Sequence, residues 1–379
     1  MTDAIRLSDH TTFGVGGAAA AFVECTSEDE LVAAVLDVWR AEEPWLLLGG
    51  GSNLLIGDED LDVTVIHVAN RGIERLDGAA PGRVRIRVQA GEGWDDLVAY
   101  TVEHGWSGIE ALSGIPGSSG AAPVQNIGAY GQEVVSSLVA VDLLDEETHE
   151  LVRVSASELG LGYRTSVLKR HGGGEPERTG VVVAIVLDLD DVGVDGLAAP
   201  IAYQQLAFAL GVELGERVAL AQVRTTVLAL RASKGMVLDA ADPDTASAGS
   251  FFTNPIVSEH VARTLPGNPP WWPVDPPSDD DTEYVFALGD VVNPPRPAPQ
   301  IRLAKLSAAW LIERAGIRRG YALPHSRAAV SAKHTLALTN RGGATAAEIA
   351  ELARFVQARV HAEFGILLQP EPVVVGVAI

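Results

Sequence analysis

Cysteine is nearly absent from this 379-residue chain, with Cys25 the only one. A single thiol excludes an internal disulfide and a cysteine-based zinc site, and it suits a reducing compartment, so a cytoplasmic protein is expected. Basic residues are also scarce, 28 Lys and Arg against 50 Asp and Glu, for a formal net charge of −22. Nucleic acids and anionic membranes attract cationic surfaces, so this balance argues against a general binder of either. An anionic ligand would have to be held locally. No apolar run approaches the roughly 20 residues needed to span a bilayer; the most apolar stretch is VVVAIVLDL, 181–189. The opening MTDAIRLSDHTTFG carries neither the basic start nor the apolar stretch of a secretory signal, and the expectation is a soluble protein. No internal repeat is visible.

The chain does contain ample core material, 47% hydrophobic residues, at a length that suits two or three domains. AFVEC predicts a strand, SEDELVAAVLDVWRAE an amphipathic helix opened by Ser27 as N-cap, and WLLLGG a second buried strand, together a βαβ unit. TVIHVA and RVRIRVQAG predict further strands, the latter with Arg outward and Val or Ile inward. WDDLVAYTVEHG predicts a helix closed by Gly105. SSLVAVDLLD and VVVAIVLDL are strand candidates, with a Gly-rich loop, HGGGEPERTG, before the second. ERVALAQVRTTVLALRASKG and TAAEIAELARFVQARVHAEFG read as helices, and PVVVGVAI as a closing strand. The Pro- and Asp-rich stretch 266–300 predicts an irregular surface excursion whose two tryptophans could cover a neighbouring surface.

Two glycine-rich segments carry the functional signal. In LLLGGGSNLLIGDED, too few residues follow the glycines for the pyrophosphate-binding helix of a dinucleotide fold. The turn reads instead as a backbone nest, in which the N–H groups of Gly49, Gly50, Gly51, Ser52 and Asn53 face one concavity; an ordinary strand-ending turn is the alternative. In EALSGIPGSSGAAPVQNIGAYG, 110–131, small residues let the backbone approach something flat or highly polar. Ile115, Pro116, Val124 and Ile127 are poor linker residues, so an ordered ligand-lining loop is favoured over a flexible connection.

TTFGVGG, LLLGGGSNLLIGD, SGIPGSSGAAPVQNIGAYG, GYRTSVLK, SAGSFFTNP and LQPEP occur in the order and spacing of one bacterial flavoprotein family. The chain resembles the UDP-N-acetylenolpyruvoylglucosamine reductases, type I branch, from about residue 7 onward. The resemblance implies an α+β chain. Its FAD-binding fold, of the vanillyl-alcohol-oxidase (PCMH) type, would have two parts, 1–75 and 76–230 with the terminal strand 366–379. A C-terminal α+β substrate-binding domain would span 231–365. It also implies non-covalent FAD on the nest and along Gly114, Pro116, Gly117, Gly120, Ala121, Gln125, Asn126 and Gly128. The implied reaction reduces UDP-N-acetylglucosamine enolpyruvate with NADPH as co-substrate, in peptidoglycan precursor synthesis, by a monomer.

By the same resemblance, hydride from reduced flavin N5 reaches the vinyl CH2 carbon, leaving an enolate. Arg164 is suited to stabilise it because a guanidinium binds carboxylates with a fork of donors; by its residue type alone a surface arginine beside a turn is the plainer reading. Glu371 would assist, in a protonated form favoured by burial and like charge. Ser250 would donate the proton, although a turn serine is the plainer reading of that residue. Tyr130, Tyr163, Tyr203 and Asn254 resemble substrate-binding positions, Lys234 or Arg231 is a partner for the UDP diphosphate, and His334 is either a lining residue or a structural one. The chain departs from the Pro-Glu-Val-Arg wording of many members: Pro372 and Val373 follow Glu371, and the arginine is missing. A sugar or hydroxy-acid oxidase of the same flavin fold is the alternative, though neither glycine segment holds a His or Cys for covalent flavin attachment.

Overall fold

The computed structural model describes residues 5–169, 176–274 and 302–379. Its first layer is a parallel three-stranded sheet in the order Ala19–Cys25, Leu61–Val68, Trp45–Leu48. The crossover is the helix Glu28–Ala41, opened by a capping box: the Ser27 side chain accepts from the Glu30 N–H while the Glu30 carboxylate returns to the Ser27 N–H. Leu31, Val35, Val38 and Trp39 recur at helical spacing on its buried face. They pack on Ile66 and Val68 of the parallel sheet and on Leu144, Val181 and Val183 of a second sheet.

That second sheet has six strands, ordered Leu151–Ser155, Leu138–Asp145, Gly180–Asp191, Arg83–Gln89, Ile73–Leu76, with Trp106–Ser107 pairing at the end of Gly180–Asp191. Gly180–Asp191 reads as one apolar run because both of its faces are covered. Val181 and Val183 meet the Glu28–Ala41 helix, while Val182, Ile185 and Leu187 meet a core that includes helices Trp94–Glu103 and Leu220–Ala232. In Arg83–Gln89 the valines and isoleucine are buried as expected, but the arginines are not simply outward. Arg87 bonds Asp142 at 2.6 Å and Glu28 at 2.8 Å, and Arg83 pairs with Asp188 and Asp190. Acidic groups on the neighbouring elements account for this half-buried arginine face.

The remainder is an antiparallel sheet ordered Ile256–Ser258, Leu303–Leu306, Trp271–Val274, a hairpin of Ala328–Val330 with Leu338–Asn340, and helices that include Ala346–Phe364. Its core also takes in Phe13, Val15 and Leu55 from the N-terminal part of the chain. Three expectations change here. Part of the Pro-rich excursion is ordered: Trp271–Val274 pairs with Leu303–Leu306. Trp271 packs on the core and lies under the Arg263 guanidinium at 5.4 Å, whereas Trp272 is exposed; residues 275–300 of that excursion lie outside the described residues, as do 171–175 of the HGGGEPERTG loop. The closing strand, Val373–Val375, is short and pairs in parallel with Leu54–Ile56 rather than joining the sheet of 76–230. Leu54–Ile56 is also the strand that replaces a dinucleotide-type helix after the glycines.

Candidate active site

The two glycine segments meet backbone to backbone. A Cβ on Gly50 would lie 2.8 Å from the Gly117 Cα, one on Gly49 2.6 Å from the Ser118 Oγ, and one on Gly117 2.7 Å from the Ser52 Oγ. Gly51 has φ 58°, and a Cβ there would stand 1.8 Å from the His10 carbonyl oxygen. No side chain fits in this contact, which is why glycine occupies it. Ser52 Oγ donates to the Pro116 carbonyl at 3.1 Å. Asn53 Nδ2 reaches Gln125 Oε1 and the Glu371 carbonyl, each at 3.3 Å, while its own carbonyl accepts from the Val373 N–H at 2.9 Å. The turn, the second glycine loop and the C-terminal strand are thereby tied together.

These segments wall a cavity of about 440 Å³. Gly49, Gly50, Gly51, Ser52 and Asn53 line it, as do Pro116, Gly117, Gly120, Ala121, Gln125 and Gly128. Apolar surface comes from Leu47, Val68, Ala90, Trp94, Ile127 and Val182; charge comes from Arg164, Lys169, Arg231 and Glu371, with Ser250 beside them. Three cations against one carboxylate make a local positive site in an acidic protein. Among the described residues the backbone N–H groups of Gly50, Gly51 and Ser52 donate to no other group of the chain. Open amides in a cradle that admits no Cβ, joined to apolar walls, fit FAD: a pyrophosphate for the amides and a flat ring system for the walls. Gly114 and Asn126 do not line the cavity. Asn126 is buried, donating to Glu133 and to the Gly162 carbonyl and accepting from the Val135 N–H, so its side chain shapes the loop instead.

Ser250, Arg164 and Glu371, distant in sequence, share this cavity. Ser250 follows Gly249, whose φ is 70°, and precedes Phe251 and Phe252, both buried and packed edge to face at 5.1 Å. The Phe251 carbonyl accepts from the Glu371 N–H at 2.8 Å, and Phe252 bridges Pro370, so serine and glutamate ride on adjoining backbone. Pro372 interrupts nothing: Glu371 and Val373 on either side both keep their N–H bonds. Arg164 differs from the free fork expected. Its Nη1 and Nη2 donate to the Asn126 and Gly128 carbonyls at 3.3 and 2.8 Å, and its Nε stands 3.2 Å from Glu371 Oε1. Glu371 therefore faces a guanidinium at the cavity wall.

The remaining expected positions form two clusters outside the cavity wall. Tyr130 and Tyr203 meet edge to face at 5.8 Å, with Lys234 Nζ 5.4 Å over the Tyr130 ring and 2.9 Å from Gln205 Oε1. Asn254 Nδ2 donates to the Tyr163 hydroxyl at 3.4 Å, and Lys305 Nζ sits 4.5 Å over the Tyr163 ring. Arg231 separates from Lys234: it is buried in the cavity wall, its Nε has no hydrogen-bond partner among the described residues, and desolvation brings its pKa down to about 10, still charged at neutral pH. His334 is held neutral at a pKa of about 4 by burial and by Lys234, Arg319 and Arg231. Lys169, within the GYRTSVLK stretch, and Lys305 had no sequence signal of their own; only the fold brings them to Arg164 and Tyr163.

Residues 19–155 match the model of an FAD-binding domain, and residues 242–375 match that of the C-terminal domain of UDP-N-acetylenolpyruvoylglucosamine reductase. The chain is 56% identical, over the whole of both proteins, to the enzyme of that name from Leifsonia xyli subsp. xyli. It is 47% identical to that from Thermobifida fusca, covering 99% of this chain and 98% of the relative. The crystal structure of the Thermus caldophilus reductase superposes with a TM-score of 0.61 at 26% identity, covering 98% of each chain. The chain belongs to the UDP-N-acetylenolpyruvoylglucosamine reductase family.

Proposed function

We propose that the chain reduces the enolpyruvyl ether of UDP-N-acetylglucosamine to the lactyl ether of UDP-N-acetylmuramate with NADPH, a step of peptidoglycan precursor synthesis, acting as a cytoplasmic monomer. The observation that carries this reading is the meeting of Ser250, Arg164 and Glu371 in a single cavity that the glycine turn also lines. Gly49 to Asn53 would hold the FAD pyrophosphate through their amides, and the loop 113–131 would run beside the ribityl chain and ring. FAD held there would supply the two-electron chemistry that links NADPH to the substrate CH2 carbon.

Hydride arrival places negative charge on the adjacent substrate carbon and its carboxylate. Arg164 answers that charge, since each of its two terminal nitrogens keeps one N–H beyond those given to Asn126 and Gly128. Glu371, held against Arg164, hydrogen-bonds the enolic oxygen. The Ser250 hydroxyl gives its proton to the carbon, which suits a weak acid only because an enolate carbon is strongly basic. Tyr130, Tyr203 and Lys234 form a cation-and-aromatic platform suited to the uridine and diphosphate, leaving Arg231 to face the cavity.

The test is anaerobic. The purified protein is reduced with NADPH, bleaching its flavin band, and then given UDP-N-acetylglucosamine enolpyruvate. Return of the band without oxygen supports the reaction; return only with oxygen favours an oxidase and refutes it.

A further inference from the structure

Arg164 has φ 54°, in the left-handed region that a branched-chain-free but bulky residue still enters only under constraint. Its guanidinium geometry depends on that turn, so whatever pins the backbone also aims the side chain. On one side Gly162 and Thr165 exchange N–H bonds at 3.2 and 3.3 Å. On the other, Lys169 Nζ donates to the Arg164 carbonyl oxygen at 3.0 Å. This lysine does not reach for solvent: it lines the cavity with Arg164 and Glu371. Burial pulls its ammonium below the ordinary lysine range, with Glu371 opposing that shift and Arg164 adding to it. A desolvated ammonium is costly unless its position is used.

We propose that Lys169 is a positioning residue for the reduction, holding the Arg164 carbonyl and with it the left-handed turn that aims the guanidinium at Glu371 and at the substrate carboxylate. The inference rests on the role given to Arg164 above. Lys169 acts on the substrate through Arg164, so its loss has no further effect once that guanidinium is gone.

The experiment uses full-length, flavin-loaded protein and the variants Lys169→Met, Lys169→Gln, Lys169→Arg, Arg164→Ala and Arg164→Ala with Lys169→Met. Lys169→Met is expected to stay folded and to lose about 100-fold in reoxidation by the enolpyruvyl substrate, far more than in FAD affinity or in reduction by NADPH. Lys169→Arg, which can still donate to the carbonyl, is expected to recover most of that loss. The double variant is expected to be no slower than Arg164→Ala alone. If Lys169→Met does not fold, Lys169→Gln, whose amide nitrogen ends one bond short of the lysine nitrogen and so falls short of the carbonyl, carries the same comparison. A Lys169→Met or Lys169→Gln protein that turns over as wild type does, or a double variant whose losses simply multiply, overturns the role of Lys169. A wild-type protein that fails to reduce the enolpyruvyl ether refutes the reaction itself, and the positioning role with it.

Discussion

Gly50→Ala tests how the two glycine segments create the cofactor cradle. The new Cβ would stand 2.8 Å from the Gly117 Cα and 3.0 Å from its carbonyl carbon, both backbone atoms that no rotamer change can move. Overpacking of this kind costs about 1–3 kcal/mol. A bound pyrophosphate requires turn and loop together, so the strain should appear mainly as lost affinity, about 5- to 150-fold at 1.4 kcal/mol per tenfold. Gly50→Val adds two more methyl groups and should yield colourless protein. Ser52→Ala removes only the 3.1 Å bond to the Pro116 carbonyl, worth about 1 kcal/mol, and should weaken FAD about fivefold. The assay strips the flavin, titrates FAD back and follows quenching of its fluorescence, with thermal unfolding of the flavin-free proteins measured in parallel. Wild-type affinity in Gly50→Ala, or a loss confined to flavin-free stability, would refute the cradle.

Ser250→Ala should leave reduction by NADPH intact and slow reoxidation by the enolpyruvyl substrate about 10²- to 10⁴-fold; stopped-flow traces in which both half-reactions slow equally would sink the proton-donor role. His334 has a folded pKa of about 4 against 6.5 as its ordinary value. Its depressed pKa contributes stability that is fully present above pH 6.5 and lost as the pH falls toward 4. The loss is at most about 3 kcal/mol, less whatever residual solvent contact screens. Denaturant unfolding of wild type and His334→Gln across that range should show a shallower acid slope in the variant, and parallel slopes would contradict the buried neutral imidazole. Asp58 accepts from the Ala346 and Ala347 N–H groups at 2.8 and 3.1 Å, capping the helix Ala346–Phe364 from the N-terminal part of the chain. Asp58→Ala should cost about 1 kcal/mol of stability in urea, and a change below a few tenths would show that the Thr345 cap suffices.

The local code of this protein is plain in its sequence. Ser27 with Glu30, Gly105 after Glu103, and Thr345 with Glu348 mark helix ends because caps act within one turn of chain. The glycines of 49–51 and 114–120 announced close backbone approach because no other residue permits it. The identity of the approaching partner was not legible from the steric need alone. Gly50 meets Gly117 only because the parallel sheet and the six-stranded sheet share the Glu28–Ala41 helix, a contact set by packing across the whole N-terminal part of the chain. The sequence named Arg164, Ser250 and Glu371 by their resemblance to a family. Tertiary structure alone decided that Arg164 gives two donors to the Asn126 and Gly128 carbonyls and pairs with Glu371, that Lys169 rather than a residue after Glu371 brings the neighbouring cation, and that the terminal strand lies on Leu54–Ile56. Caps and glycine turns are settled by neighbours a few bonds away, so sequence determines them; charge pairing and strand partnership depend on residues hundreds of positions apart, so only the folded chain can choose among them.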